Sequence, residues 1–352
     1  MLPIRRLYQR TTSCMQSSKF RMENWMSKLV TIFGGSGFVG RYVAQRMAKQ
    51  GWRVRVAIRR PNEALFVRQY GDVGQVEPVL CNIRDDASVT AVTNGADAVV
   101  NCVGILSEAG KNTFQDVQAS GAERVARISS EQGVLSFVQI SAIGANEAAL
   151  SDYSKTKAFG EASVISYFPD ATILRPSIIF GPEDQFFNRF AQMATLSPFI
   201  PLVGANSKFQ PVYVGDVALA VEKALLEDSV LGIYELGGPN VETFSELMNQ
   251  MLVVIQRRRL MLKVPFFVAG IMGKSLDVFK AITFGLFPNN ILTQDQVKNL
   301  QNDNIVSVDA KGLADLGITP TAMETVLPDY LWRYRVSGQY AAIKNSAKGL
   351  KK

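Results

Sequence analysis

Short apolar runs and helically spaced segments take turns along the first two thirds of the chain. Leu29–Phe33, Ala98–Asn101 and 135–140 are apolar runs, Arg53–Ile58 alternates, and Val76–Leu80 reads as a further strand. Between them the apolar positions of 38–50, 62–70, 85–92, 113–132 and 153–168 recur at helical spacing. A strand at 171–174, a helix at 216–227, a strand at 233–236 and a helix at 243–256 follow. Strands that alternate with helices predict an α/β fold, a doubly wound parallel sheet covered on both faces. Past about residue 185 the pattern loosens and prolines accumulate, which predicts a smaller, mixed C-terminal subdomain. The expected division is a nucleotide-binding domain over 26–185, rejoined by 209–238, and a smaller unit made from 186–208 and 239–335, with basic segments at 1–25 and 336–352.

Composition narrows the function classes. At 352 residues, 47% hydrophobic and 20% charged, the chain is ordinary for a globular protein and excludes disordered, collagen-like and disulfide-stapled classes. It has no histidine, which removes Ser-His-Asp and Cys-His hydrolase mechanisms and the commonest metal ligand. Cys14, Cys81 and Cys102 form no CxxC pair, so a reducing compartment and no metal site are expected.

The formal charge of +7 resides at the ends. Residues 1–28 hold six Lys/Arg against Glu23, and 340–352 hold four lysines and no acid, which leaves the body between them at −2. Nucleic acid is therefore not an expected partner. Basic ends suit an anionic membrane surface or an acidic protein partner, and equally plain solvated termini. The apolar stretch within 264–287 is too short and broken to span a bilayer, and suits core packing or a surface contact with a membrane or partner. Residues 1–25, with Arg5, Arg6 and Arg10 among scattered Ser and Thr, read as a mitochondrial transit peptide or as sequence preceding a natural start at Met26. The first reading implies a matrix location; the second favours a bacterial chain on the cytoplasmic face.

Residues 34–40 read Gly-Gly-Ser-Gly-Phe-Val-Gly, after the first strand and at the opening of a helix. Gly34 allows the tight turn, Gly37 lets backbone approach a pyrophosphate, and Gly40 lets the helix pack on the strand, the arrangement of a Rossmann-type dinucleotide site. An NAD-binding chain normally carries an acid about 20 residues further on, for the ribose hydroxyl. Residues 41–62 contain none, and Arg59 and Arg60 close the second strand instead. A guanidinium there pairs with a 2′-phosphate, so NADP(H) is the preferred cofactor and NAD(H) the alternative.

Tyr153 and Lys157 lie four apart on an expected helix and so share a face. An ammonium beside a phenol favours the phenolate and makes it a usable acid or base. Ser141 follows the 135–140 run at the strand end, where ligands bind in such sheets. These three are the candidate catalytic set, and the same residues can hold a cofactor without catalysis.

With the glycine loop, Asn82-Ile-Arg-Asp85, Asn101-Cys-Val-Gly104, Ser141, Tyr153, Lys157 and Leu174-Arg-Pro176 through Pro182, the chain resembles the atypical and extended short-chain dehydrogenase/reductase superfamily over roughly 28–335. Pro211-Val-Tyr-Val-Gly-Asp-Val-Ala218 and Tyr234-Glu-Leu-Gly-Gly-Pro239 match its later segments. The resemblance implies a cofactor set of Gly34, Ser36, Gly37, Phe38, Val39, Gly40, Arg59, Arg60, Asn82, Ile83, Cys102, Val103, Tyr153, Lys157 and Pro176. More narrowly, Phe38-Val-Gly-Arg41, Ser141-Ala-Ile-Gly-Ala-Asn146, Phe180-Gly-Pro-Glu-Asp184, Leu292-Thr-Gln-Asp-Gln-Val297 and Leu313-Ala-Asp-Leu-Gly-Ile318 resemble the family of 39 kDa accessory subunits of respiratory complex I and their bacterial relatives. That family implies a structural NADPH, complex I subunits as partners and a peripheral place beside the energy-transducing membrane. Two other functions stay open: an active NADPH-dependent reductase or epimerase-type enzyme on a lipid, quinone precursor or sugar nucleotide, and an NADP(H)-sensing regulator.

Overall fold

The computed structural model describes residues 28–282, 293–336 and 338–340. The basic ends and 283–287 of the apolar stretch, for which surface contacts were expected, lie outside them or nearly so.

Strands β1 (Leu29–Phe33), β2 (Arg53–Ile58), β3 (Val76–Leu80), β4 (Ala98–Asn101), β5 (Ser136–Ile140) and β6 (Thr172–Pro176) alternate with helices α1 (Phe38–Lys49), α2 (Asp86–Thr93), α3 (Ser120–Glu131) and α4 (Asp152–Tyr167). All residues of β1 and β4 are buried, because helices cover both faces of the sheet. The short pair β7 (Ile179–Phe180) and β10 (Val212–Tyr213) flanks helix α5 (Phe187–Leu196), strand β8 (Phe199–Val203) and β9 (Lys208–Phe209). Helix α6 (Val214–Leu226) then leads into β11 (Gly232–Leu236). The described residues form one seven-stranded sheet in the order β11-β6-β5-β4-β1-β2-β3, parallel throughout. Its winding reverses between β1 and β4, and that switch point opens a crevice at the strands' C-terminal ends.

The remaining elements are β12 (Glu242–Thr243), α7 (Phe244–Val254), β13 (Leu260–Val264), α8 (Phe266–Ile282), α9 (Gln294–Asn299) and α10 (Met323–Leu331). A second core gathers Phe180, Phe187, Phe209, Phe244, Leu247 and Leu327. Phe187 and Phe209 are buried there and Phe186 packs against them, whereas Phe199 stands on the surface. The aromatic cluster of this region is thus core, apart from Phe199.

Two segments depart from the helices expected of them. Residues Pro61–Tyr70 form a 3₁₀ turn interrupted at Ala64, with Pro61 at its start. The expected helix over 113–132 begins with a π-turn, Gln115–Ala119, before α3. Gly160 explains how this is accommodated: α4 approaches so closely that a Cβ there would lie 2.6 Å from the Gln118 carbonyl oxygen. The π-turn points the Gln118 amide inward, where it donates to Ile105 O at 2.7 Å and accepts from the Thr156 hydroxyl at 3.3 Å. The turn thereby ties the loop after β4 to the helix that carries Tyr153 and Lys157.

Candidate active site

The glycine loop leaves β1 through Gly34, whose φ of 73° lies in the left-handed region that favours glycine. A Cβ on Gly40 would collide with the Gly34 carbonyl and lie 2.6 Å from Gly35 Cα, so the first turn of α1 rests directly on the loop. Across the crevice, Cys102 and Val103 follow β4; a Cβ on Gly34 would be 3.2 Å from Val103 Cγ2 and 3.4 Å from the Cys102 carbonyl carbon. Asn101 shapes that turn by accepting from Val103 N–H at 3.1 Å and donating to Gln139 at 3.0 Å. Arg41, one turn into α1, donates to the carbonyls of Ser36 at 3.2 Å and Gly37 at 3.3 Å. It also meets Glu183 at 3.3 Å, and Tyr42 donates to the same carboxylate at 2.8 Å.

The other expected residues occupy successive strand ends. Arg59 and Arg60 follow β2 and are exposed; Arg60 pairs with Glu63 at 3.1 Å. Asn82 and Ile83 follow β3, Ser141 follows β5, and Pro176 ends β6. Ser36, Phe38 and Val39 lie in the loop and at the start of α1.

Ser141 is 4% exposed, and its hydroxyl has no hydrogen-bond partner among the described residues. A buried, unpaired hydroxyl costs about 1–3 kcal/mol, and at a strand end facing the crevice it fits an oxygen or nitrogen of a ligand. Lys157 is also buried, and its ammonium donates to Ile140 O at 3.1 Å. Burial pulls its pKa down to about 8, against the opposing pull of Glu161 and Cys102. A Cβ on Gly104 would stand 3.4 Å from the Lys157 Nζ, so the loop after β4 closes over the ammonium. Burial pushes the Tyr153 phenol up to about 12 and the Cys102 thiol likewise to about 12. At neutral pH the phenol is therefore protonated and can donate. The Phe114 ring packs edge-on against Tyr153 at 5.9 Å.

Three supports of this site had no role assigned from the sequence, although Arg175 and Asp295 lie inside quoted motifs. Glu161, one turn beyond Lys157, is held by Arg175 at 2.6 Å, and Arg175 also faces Glu235 at 3.6 Å. Gln118 was hidden inside an expected ordinary helix. The third is Asp295 on α9: its carboxylate accepts from Ser151 Oγ at 2.8 Å, Asp152 N–H at 2.7 Å and Tyr153 N–H at 3.2 Å. Asn299, four residues on and thus on the same face of α9, accepts from Ser154 Oγ at 3.1 Å. An acidic group at a helix N-terminus satisfies free amides and meets the positive end of the dipole, so α9 clamps the start of the helix that bears Tyr153.

The model of the NAD dependent epimerase/dehydratase family matches residues 30–237. A mitochondrial NADH dehydrogenase [ubiquinone] 1 alpha subcomplex subunit 9 from Arabidopsis thaliana is 35% identical over 316 residues, 88% of this chain and 79% of the relative. A ceramide reductase from Caulobacter vibrioides is 29% identical over 259 residues, 72% of this chain and 79% of the relative. Among solved structures, an NADPH-dependent quinone oxidoreductase from Escherichia coli, complexed with NADPH, superposes with a TM-score of 0.64 at 16% identity, covering 86% of this chain and 98% of its own; it bears on the fold alone. The chain belongs to the NAD dependent epimerase/dehydratase family and, within it, to the family of these complex I subunits.

Proposed function

We propose that this member of the family is an NADP(H)-binding accessory subunit of respiratory complex I, in which the nucleotide is chiefly structural. The observation that carries the reading is the 35% identity to a complex I subunit across 88% of the chain. The site fits a nicotinamide dinucleotide: the glycine cradle accepts backbone-close phosphates, and the orphaned Ser141 hydroxyl awaits a polar partner. Gly34, Ser36, Gly37, Phe38, Val39 and Gly40 hold the pyrophosphate, and Asn82, Ile83, Cys102, Val103 and Pro176 line the crevice. Tyr153 and Lys157 bind the nicotinamide ribose. Arg59, exposed and without an ion-pair partner among the described residues, takes the 2′-phosphate beside Arg60 and selects NADP(H). A ligand held only by the folded state stabilises it by about 2.7 kcal/mol at a hundred times its Kd. The mitochondrial name of the relative supports a matrix-side, membrane-peripheral place rather than the cytoplasmic face. Among the described residues no helix is long and apolar enough to cross a membrane.

The ceramide reductase relative favours a second reading, an active reductase. NADPH when bound would supply a hydride; Tyr153, protonated at neutral pH, would donate a proton to a substrate oxygen, with Lys157 steadying the charge left behind and Ser141 orienting the substrate. Gentle purification from native membranes, with analysis of bound nucleotide and co-migrating proteins, separates the two. One NADPH per chain travelling with complex I subunits, and retained in Tyr153→Phe, is the expected result. A free chain with exchangeable cofactor, whose turnover is lost in Tyr153→Phe, would overturn the accessory reading.

A further inference from the structure

The turn from α7 into β13 reads Gln256-Arg-Arg-Arg-Leu260. Gln256 adopts a φ of 55°, left-handed and uncommon for a residue with a side chain, and so reverses the chain within one residue. The three arginines then line a cleft of about 470 Å³, together with Asn249, Leu252, Val253 and Gln256. The cleft shares no residue with the nucleotide site. Two of the guanidinium groups are anchored through Nε: Arg257 donates to Tyr334 O at 2.8 Å and Arg259 to Ala194 O at 2.7 Å. Arg335 joins them from the C-terminal side, donating to Val254 O at 2.8 Å. Arg258 is exposed and makes no side-chain hydrogen bond or ion pair among the described residues.

This positive charge has no ion-pair counterpart among the described residues. No acidic residue lies between Glu246 and Asp277, a span that holds Lys263 and Lys274 as well. None of the four arginines enters an ion pair among the described residues. The C-terminal end of α7 offers about half a negative charge, against four full positive ones. Neighbouring carbonyls fix where three of the guanidinium groups stand without neutralising them. Such forks match phosphate oxygens in pairs. Beside them Val253 is 76%, Leu260 65% and Leu196 82% exposed, an apolar rim two residues from the Ala194 carbonyl that holds Arg259.

We propose that the Arg257–Arg259 cleft is a second ligand site, for a phosphate-bearing anion. The phosphate sits among the guanidinium groups, and the apolar rim accommodates a hydrocarbon part where the ligand has one. Its source is a lipid headgroup or a free phosphate. The site does not depend on what the nicotinamide crevice does.

The test uses the full chain and Arg258→Glu, a change at an exposed, unpartnered side chain that leaves the fold's hydrogen bonds in place. Co-sedimentation is measured with phosphatidylcholine vesicles, with and without phosphatidic acid, and inorganic phosphate is titrated calorimetrically. The chain is expected to bind the anionic vesicles or phosphate in a salt-sensitive manner. Arg258→Glu should lose about thirtyfold in affinity, the roughly fivefold effect of one basic charge near an anionic surface taken twice over because the charge is reversed, with its unfolding midpoint and NADPH binding unchanged, while Arg258→Lys largely restores binding. Binding to vesicles but not to phosphate identifies a headgroup; binding to phosphate alone identifies a free ligand. A chain that responds to neither overturns the proposal. So does an Arg258→Glu chain that binds as tightly as wild type, because the basic ends would then carry the attraction.

Discussion

Lys157 is the residue at which function and stability oppose each other most directly. Its pKa in the folded chain is about 8, pulled below its usual 10.5 by burial. The sign follows from linkage: between about pH 8 and 10.5 the unfolded chain binds the proton and the folded chain does not, so stability from this group rises with pH across that window. Below it the folded state carries the full penalty, which at about 1.36 kcal/mol per unit amounts to about 3 kcal/mol for the gap between about 8 and 10.5. Lys157→Met keeps the length of the side chain and removes the charge. It does not orphan the Ile140 carbonyl, which still accepts from Gln139 Nε2 at 3.0 Å, and Glu161 keeps Arg175 at 2.6 Å. The nucleotide-free variant should therefore be more stable than wild type by about 1–3 kcal/mol at pH 7, and the gap should shrink towards pH 10. Nucleotide affinity should fall at the same time. Urea unfolding of both chains without nucleotide, at pH 7 and pH 10, reads this directly. A variant less stable than wild type at pH 7, or a gap that does not change with pH, refutes the reasoning.

Gly40→Ala should abolish nucleotide binding and destabilise the chain by about 1–3 kcal/mol, because its Cβ would lie against Gly34 O and Gly35 Cα; nucleotide titration and denaturant melts check both. Arg59→Ala should weaken NADPH binding while leaving NADH binding unchanged, and equal losses for the two would dismiss strand two as the selector. Asp295→Ala should cost about 1–2 kcal/mol, since it leaves the Asp152 and Tyr153 amides and Ser151 Oγ without their acceptor, and amide exchange should quicken at 152–154 more than elsewhere in α4.

What was legible in the sequence, and what was not, follows the range of the interactions involved. The central strands β1, β4 and β5 could be read because a sheet buried on both faces leaves a run of apolar residues with local punctuation, and β2 because its apolar positions alternate. The glycine loop and the Tyr153–Lys157 pair could be read because their chemistry sits within a few residues. The elements α5, β8, α8 and α10 escaped because their burial is set by distant partners, and α9 was visible only as part of a family motif, without its role. In α10, Pro328 inside the helix obscures the pattern further, and Tyr330 donates to Asp184 at 2.5 Å from 146 residues away. The π-turn escaped because the close contact that accommodates it is with Gly160 on another helix. The orphaned state of Ser141 is a property of its surroundings, which no local pattern encodes.

The clamp on α4 also sets a timetable for synthesis. Asp152 and Asp295 are 143 residues apart. At about 5–20 residues per second, roughly 7–29 s of translation pass between the two. During that interval the start of α4 has only its local cap, Ser151, which accepts from Ser154 N–H. The clamp on the start of the helix that bears Tyr153 is thus completed only when residue 295 has been made, so a chain that stops short of it presents a finished glycine loop beside an unclamped α4.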